Sequence, residues 1–153
     1  NTGRTISSIC CIHRLNPQYR MSTEEIERRL NVWQALSELF LDTELDTATY
    51  KYVARAAIDS RYSANEIRSI LWNEVFPILE SNLRSVTGVW EGYPREWLKQ
   101  HLRMASFTAP ILSSSGVAED IKSCWGKVCE HLPSEYARRQ ATAGQNRTVE
   151  DVR

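Results

Sequence analysis

Apolar residues recur every three or four positions along most of this chain. Ile26, Leu30, Trp33, Leu36 and Phe40 fall on one helical face. Ser22-x-x-Glu25 stands just before them and reads as a capping box. The polar run Leu41–Asp46 breaks the period, and Asp46 or Thr47 is placed to cap a second helix. That helix buries Tyr50, Val53, Ala54, Ala57 and Ile58. A second capping box, Ser63-x-x-Glu66, precedes Ile67, Ile70, Leu71, Val75, Ile78, Leu79 and Leu83. Pro77 lies inside this stripe. It lacks an N–H and its ring meets the carbonyl four residues back, so a kink or break is predicted near Asn73–Pro77.

Residues 85–93 hold Gly88 and Gly92 and read as a loop. Pro94 suits the first turn of a helix whose apolar side is Trp97, Leu98, Leu102 and Ala105. The stretch 107–116 is a connector. Val117, Ile121, Cys124, Trp125, Val128 and Leu132 form the last strong stripe, interrupted by Gly126, and Pro133-Ser134 can open a short helix through Gln140. No alternating pattern long enough for a strand is present. The pattern predicts an all-α fold, a compact bundle of five to seven helices, with a single domain over 21–140. Residues 1–20 read as an extension outside the core, and 141–153 as a polar tail.

Composition narrows the class. The chain has 153 residues, of which 42% are hydrophobic and 25% charged, the balance of a soluble globular domain. Lys plus Arg and Asp plus Glu both number 19, so no chain-wide polycation is available for nucleic acid. No apolar run approaches the ~20 residues of a membrane span. Neutrality hides an asymmetry. Arg4, Arg14 and Arg20 are the only charges of residues 1–20, whereas 21–133 hold 12 basic and 16 acidic residues. Cys10, Cys11, Cys124 and Cys129 leave the middle of the chain empty of cysteine, unlike a disulfide framework, so the expected compartment is the cytoplasm.

Candidate chemistry is sparse. Asp42-x-Glu44-x-Asp46 resembles the start of a calcium loop, but the glycine and glutamate that such a loop needs further on are Thr47 and Val53 here. The remaining readings are a helix-capping turn and an acidic patch that binds a partner. Cys124 and Cys129 lie about 140° apart around a helix and do not aim at one ion, so no metal site is expected. His101 is a lone histidine beside Leu98 and Leu102. No nucleophile elbow, phosphate loop or metalloprotease motif occurs, and neither catalytic residues nor a cofactor are expected. The aromatic stretch Val89–Trp97 is distinctive. Trp90 and Trp97 can plug one end of the bundle, while Glu91 and Tyr93 stand exposed as a binding anchor.

Three blocks carry a resemblance: residues 33–45 (WQALSELFLDTEL), 70–77 (ILWNEVFP), and 82–86 (NLRSV) with Gly88, Trp90 and Gly92. Over residues 22–103 the chain resembles a family of small uncharacterised all-α bacterial proteins. These are similar in style to immunity proteins that neutralise toxins of interbacterial competition. The resemblance implies a small cytoplasmic protein, and the analogy with immunity proteins a non-enzymatic one that binds a cognate protein toxin. Charge and hydropathy add the expectation of no nucleic acid and no membrane. Asp42, Glu44, Asp46, Trp90, Glu91 and Tyr93 are the expected partner-binding residues. The alternatives are a small enzyme or metabolite-binding protein with a pocket near His101 and the Trp90–Tyr93 loop, and a regulatory adaptor.

Overall fold

A computed structural model describes residues 22–85, 89, 91–110, 112 and 114–136. Among them six α-helices and no strand occur, so the fold is an all-α bundle. Helix α1 (Thr23–Ser37) tightens into a 3-10 turn at Glu38–Phe40. Helices α2 (Thr47–Asp59), α3 (Ala64–Ile70) and α4 (Phe76–Arg84) follow, with a π-helical turn, Leu71–Val75, joining α3 to α4. Then come the short α5 (Arg95–His101) and the long α6 (Gly116–Glu130). A further helical turn opens at Ser134, with the Tyr136 N–H donating to Pro133 O.

Helix α1 is the centre. It packs on α2, α5 and the π-turn, and buries Arg29, Val32, Ala35 and Ser37 besides the predicted Leu30, Trp33 and Leu36. Helix α6 closes the bundle against α2 and α4, with Ala118, Ile121 and Val128 buried.

Several expectations are revised by contacts distant in sequence. At Ser22 the serine oxygen accepts from the Glu25 N–H, but the Glu25 carboxylate does not reach back. It takes Tyr62 Oη and the Arg28 guanidinium instead. Ser63 and Glu66 form the complete box. The kink expected near Pro77 is the π-turn. An i to i+5 turn changes the local backbone alignment just before a residue with no N–H to give. Helix α5 stops at His101 rather than reaching Ala105, because the Ala105 N–H is captured by a carboxylate of the π-turn. Leu102 onward is an extended strap over that turn. The Ser69 hydroxyl donates to Thr108 O, and Asn73 Nδ2 donates to the same carbonyl and to Thr108 Oγ1.

The direction of the helices fixes the two ends of the molecule. Tyr62 bonds Glu25 at the start of α1, and the Tyr136 hydroxyl donates to Tyr62 O. The opposite end holds the exit of α1, the entry of α2 and the end of α4.

Candidate functional site

That opposite end is where the acidic turn and the aromatic loop meet. Phe40 and Leu41 are buried and root the turn, which leaves Asp42, Thr43 and Glu44 in solvent. Asp46 is the N-cap of α2. Its Oδ1 accepts from Thr49 N at 2.8 Å and from Thr49 Oγ1 at 2.9 Å, and these bonds hold its pKa below the usual carboxylate value. Its charge is therefore committed to the helix. Asp42 and Glu44 make no side-chain hydrogen bond or ion pair among the described residues.

Asn82, in the last turn of α4, clasps turn and loop together. Its Nδ2 donates to Phe40 O at 2.9 Å and to Val89 O at 3.1 Å, while its Oδ1 accepts from Val89 N at 2.6 Å. The Asp42 N–H donates to Val89 O at 3.1 Å. The loop then turns at Gly92, whose φ of +103° is open to glycine and strained for other residues. Gln34 Nε2 holds Tyr93 O at 2.9 Å. Beneath the turn, burial pushes the Glu38 carboxyl up.

Two of the expected contact residues are thus exposed acids on the turn, and a third, Glu91, is exposed on the loop. Tyr93 is a correction. Its side chain was expected in solvent as an anchor, but the residue is 6% exposed and its ring lies 5.2 Å from that of Trp97. The carbonyl clamp from Gln34 and the packing against Trp97 turn it inward. Its hydroxyl is buried with no hydrogen-bond partner among the described residues, and burial pushes the phenol up to about 12. Trp90 lies outside the described residues.

Two grooves flank the end of α4. One, of about 420 Å³, runs between α4 and α5, where Ile78, Asn82, Val89, Tyr93 and Trp97 line it. His101 stacks on Trp97 with ring centroids 4.0 Å apart, and its Nδ1 meets Trp97 O at 2.7 Å. The second groove, of about 350 Å³, runs between the acidic turn and α6. Leu45, Leu83 and Val117 are among its apolar lining, with Glu44, Asp120 and Lys127 also bordering it.

Sequence reasoning missed the most buried charges. Glu74, on the π-turn, is 4% exposed, and Arg29 of α1 is 3% exposed. Glu74 Oε1 accepts from Arg29 Nη1 at 2.5 Å and from Ala105 N at 2.8 Å, and Oε2 accepts from Trp33 Nε1 at 2.7 Å. Desolvation pushes this carboxyl up, opposed by its three donors. With both oxygens occupied, the carboxylate joins α1, the π-turn and the strap. A Glu inside the apolar run 70–79 was the available signal. Among the described residues no group of three or more His, Cys, Asp or Glu side chains is arranged to hold a metal ion.

A family profile described as "Domain of unknown function (DUF7079)" matches residues 27–131. The chain belongs to this family. The DUF7079 match runs past the three blocks of the sequence resemblance, through the strap and the whole of α6, so the family extends beyond residue 103 to residue 131. It also spans the acidic turn, the Asn82 clasp and the Arg29–Glu74 pair. No curated protein and no solved structure matches the chain.

Proposed function

We propose that this DUF7079 domain is a non-enzymatic binding protein that docks its acidic end on a basic protein, as an immunity protein docks on its cognate toxin. The observation that carries the reading is the bond from the Asp42 N–H to Val89 O, which sets the turn and the loop side by side. Asp42, Glu44 and Glu91 are exposed there next to the exposed Val89. Uncommitted carboxylates around an apolar contact suit a partner with a positive cleft, because complementary charge speeds encounter and apolar burial slows release. A cytoplasmic location goes with this reading, supported by the cysteine spacing along the chain, which leaves residues 12–123 without one.

The test is capture of a partner from the source organism followed by co-expression. A toxin should be captured and its growth arrest relieved by the wild-type chain. Asp42→Lys with Glu44→Lys should keep the fold, slow association at low salt and weaken protection. Equal protection by this variant would reject the surface. The second reading is a metabolite-binding protein, and the groove between α4 and α5 favours it, since about 420 Å³ lies within the size range of small-molecule sites. A small molecule that raises the melting temperature, with no protein partner captured, decides for that reading.

A further inference from the structure

We infer that the groove between the acidic turn and α6 is the seat of the partner's anchor: an aliphatic or aromatic side chain that stands next to Lys or Arg in a protein segment. This rests on the protein-binding reading and names the chemistry of what binds.

The groove lies where the turn Leu41–Leu45 and the ends of α4 and α6 leave a gap. Leu39, Leu41 and Ile121 are buried at its base, while Leu45, Leu83 and Val117 are half-buried along it. Half-buried leucine and valine still present apolar area, and covering such area is favourable at roughly 25 cal/mol per Å². An occupant therefore gains by bringing an apolar group.

The rim selects the neighbours of that group. Glu44 and Asp120 border the groove, both are exposed, and neither forms an ion pair among the described residues. Other surface acids are matched within the fold, such as Glu25 with Arg28, Glu27 with Arg95, Asp59 with Arg55, Glu80 with Arg84 and Glu119 with Lys122. Asp42, on the same turn as Glu44, is unpaired among the described residues, like the rim. The one base among the described lining residues, Lys127, is held 5.4 Å over the Tyr50 ring, at the side of the groove where Tyr50 Oη meets Cys124 Sγ at 3.9 Å. The acidic rim thus faces outward with its charge unspent, and a cation beside the anchor complements it. An acidic or neutral segment would leave these carboxylates facing a desolvated surface with nothing in return.

The probe is a synthetic peptide of about a dozen residues, leucine and lysine in helical spacing, titrated into the full chain with labelled Leu and Val methyl groups. Two control peptides replace leucine by serine or lysine by glutamate. The Leu45, Leu83 and Val117 methyl signals should shift with the first peptide and with neither control. Glu44→Lys with Asp120→Lys should weaken binding about tenfold at low salt. Leu83→Ser should weaken it comparably with an unchanged salt dependence, and Val117→Ser repeats this arm should Leu83→Ser lose its fold. Methyl signals that stay still, or a serine peptide that binds as tightly as the leucine one, would overturn the proposal. Indole as a separate titrant tests a small-molecule occupant: shifts with indole and none with the peptide assign the groove to a metabolite. Doubling of the mass in sedimentation, with no peptide shift, assigns it to a second copy. A captured toxin that needs Asp42 and Glu91 but ignores the groove variants overturns the anchor seat and leaves the immunity reading standing.

Discussion

The hydroxyl of Tyr93 is a buried polar atom with no hydrogen-bond partner among the described residues. Such a group forfeits its bonds to water and gets none back, at a cost of about 1–3 kcal/mol. Tyr93→Phe keeps the ring against Trp97 and removes the orphan. It should leave stability unchanged or raise it by about 1 kcal/mol in urea unfolding. The same residue gives a pH signature. Its phenol is pushed up to about 12 from an ordinary 10.0, as is that of Tyr136. Between these values the unfolded chain sheds phenolic protons that the folded chain retains. Stability is therefore full below pH 10 and falls as pH rises toward 12. Tyr93→Phe should flatten that decline, read as urea midpoints across the interval. An unchanged slope would remove Tyr93 as a cause. The inward ring could not be read from sequence, since Glu91-Gly92-Tyr93-Pro94 suits a loop with the ring in or out. Gln34, far away in the chain, decides it by holding the Tyr93 carbonyl. Asp46 was legible, because an N-cap is a local pattern.

Helices were legible wherever the cause lay within one turn of the chain. The stripes of α1, α2 and α6 follow from spacing alone, and so does the interruption near Pro77. The π form of that interruption depends on what Glu74 meets: Arg29 and Trp33 from α1 and Ala105 from the strap. The end of α5 depends on the same carboxylate. An ion pair this deep is costly to break from one side, because the remaining charge stays buried. Arg29→Met should cost about 3–5 kcal/mol. Arg29→Met with Glu74→Gln should cost clearly less than Arg29→Met alone, since a neutral amide oxygen still serves Trp33 or Ala105. The sign of the pH response separates the two variants. Burial already pushes the Glu74 carboxyl up, and loss of Arg29 pushes it further. A folded pKa above the unfolded one favours the protonated folded state. Arg29→Met should therefore gain stability as pH falls from 7 toward 5, and the double variant should not. Denaturation midpoints at the two pH values check this. A single variant that weakens with acid would mean that the carboxylate is not left stranded.

At the scale of the whole molecule, the described chain enters and leaves on one side, and the candidate site lies on the other. Glu25 meets Tyr62 at the start of α1, and Tyr136 meets Tyr62 at the last described residue. The 15 residues of α1 separate this side from the acidic turn by roughly 22 Å at 1.5 Å per residue. Helix α6, also 15 residues long, runs back from the groove toward the Tyr62 side. That arrangement was closed to sequence reasoning, because helix order in space follows from contacts such as Asn82 with Phe40 and Val89 rather than from any stripe. It yields a prediction that a surface elsewhere would fail. A bulky folded domain joined directly before Ser22 or directly after Tyr136 should leave affinity for the leucine-lysine peptide within about twofold, because those residues lie on the Tyr62 side, more than a Debye length from the rim at about 0.1 M salt. Charge reversal at Glu44 and Asp120 in the same fusion should still weaken binding about tenfold. If both fusions abolish binding while melting as the parent does, the binding surface lies at the Tyr62 side, where Arg61, Glu66 and Tyr136 line a groove of about 570 Å³.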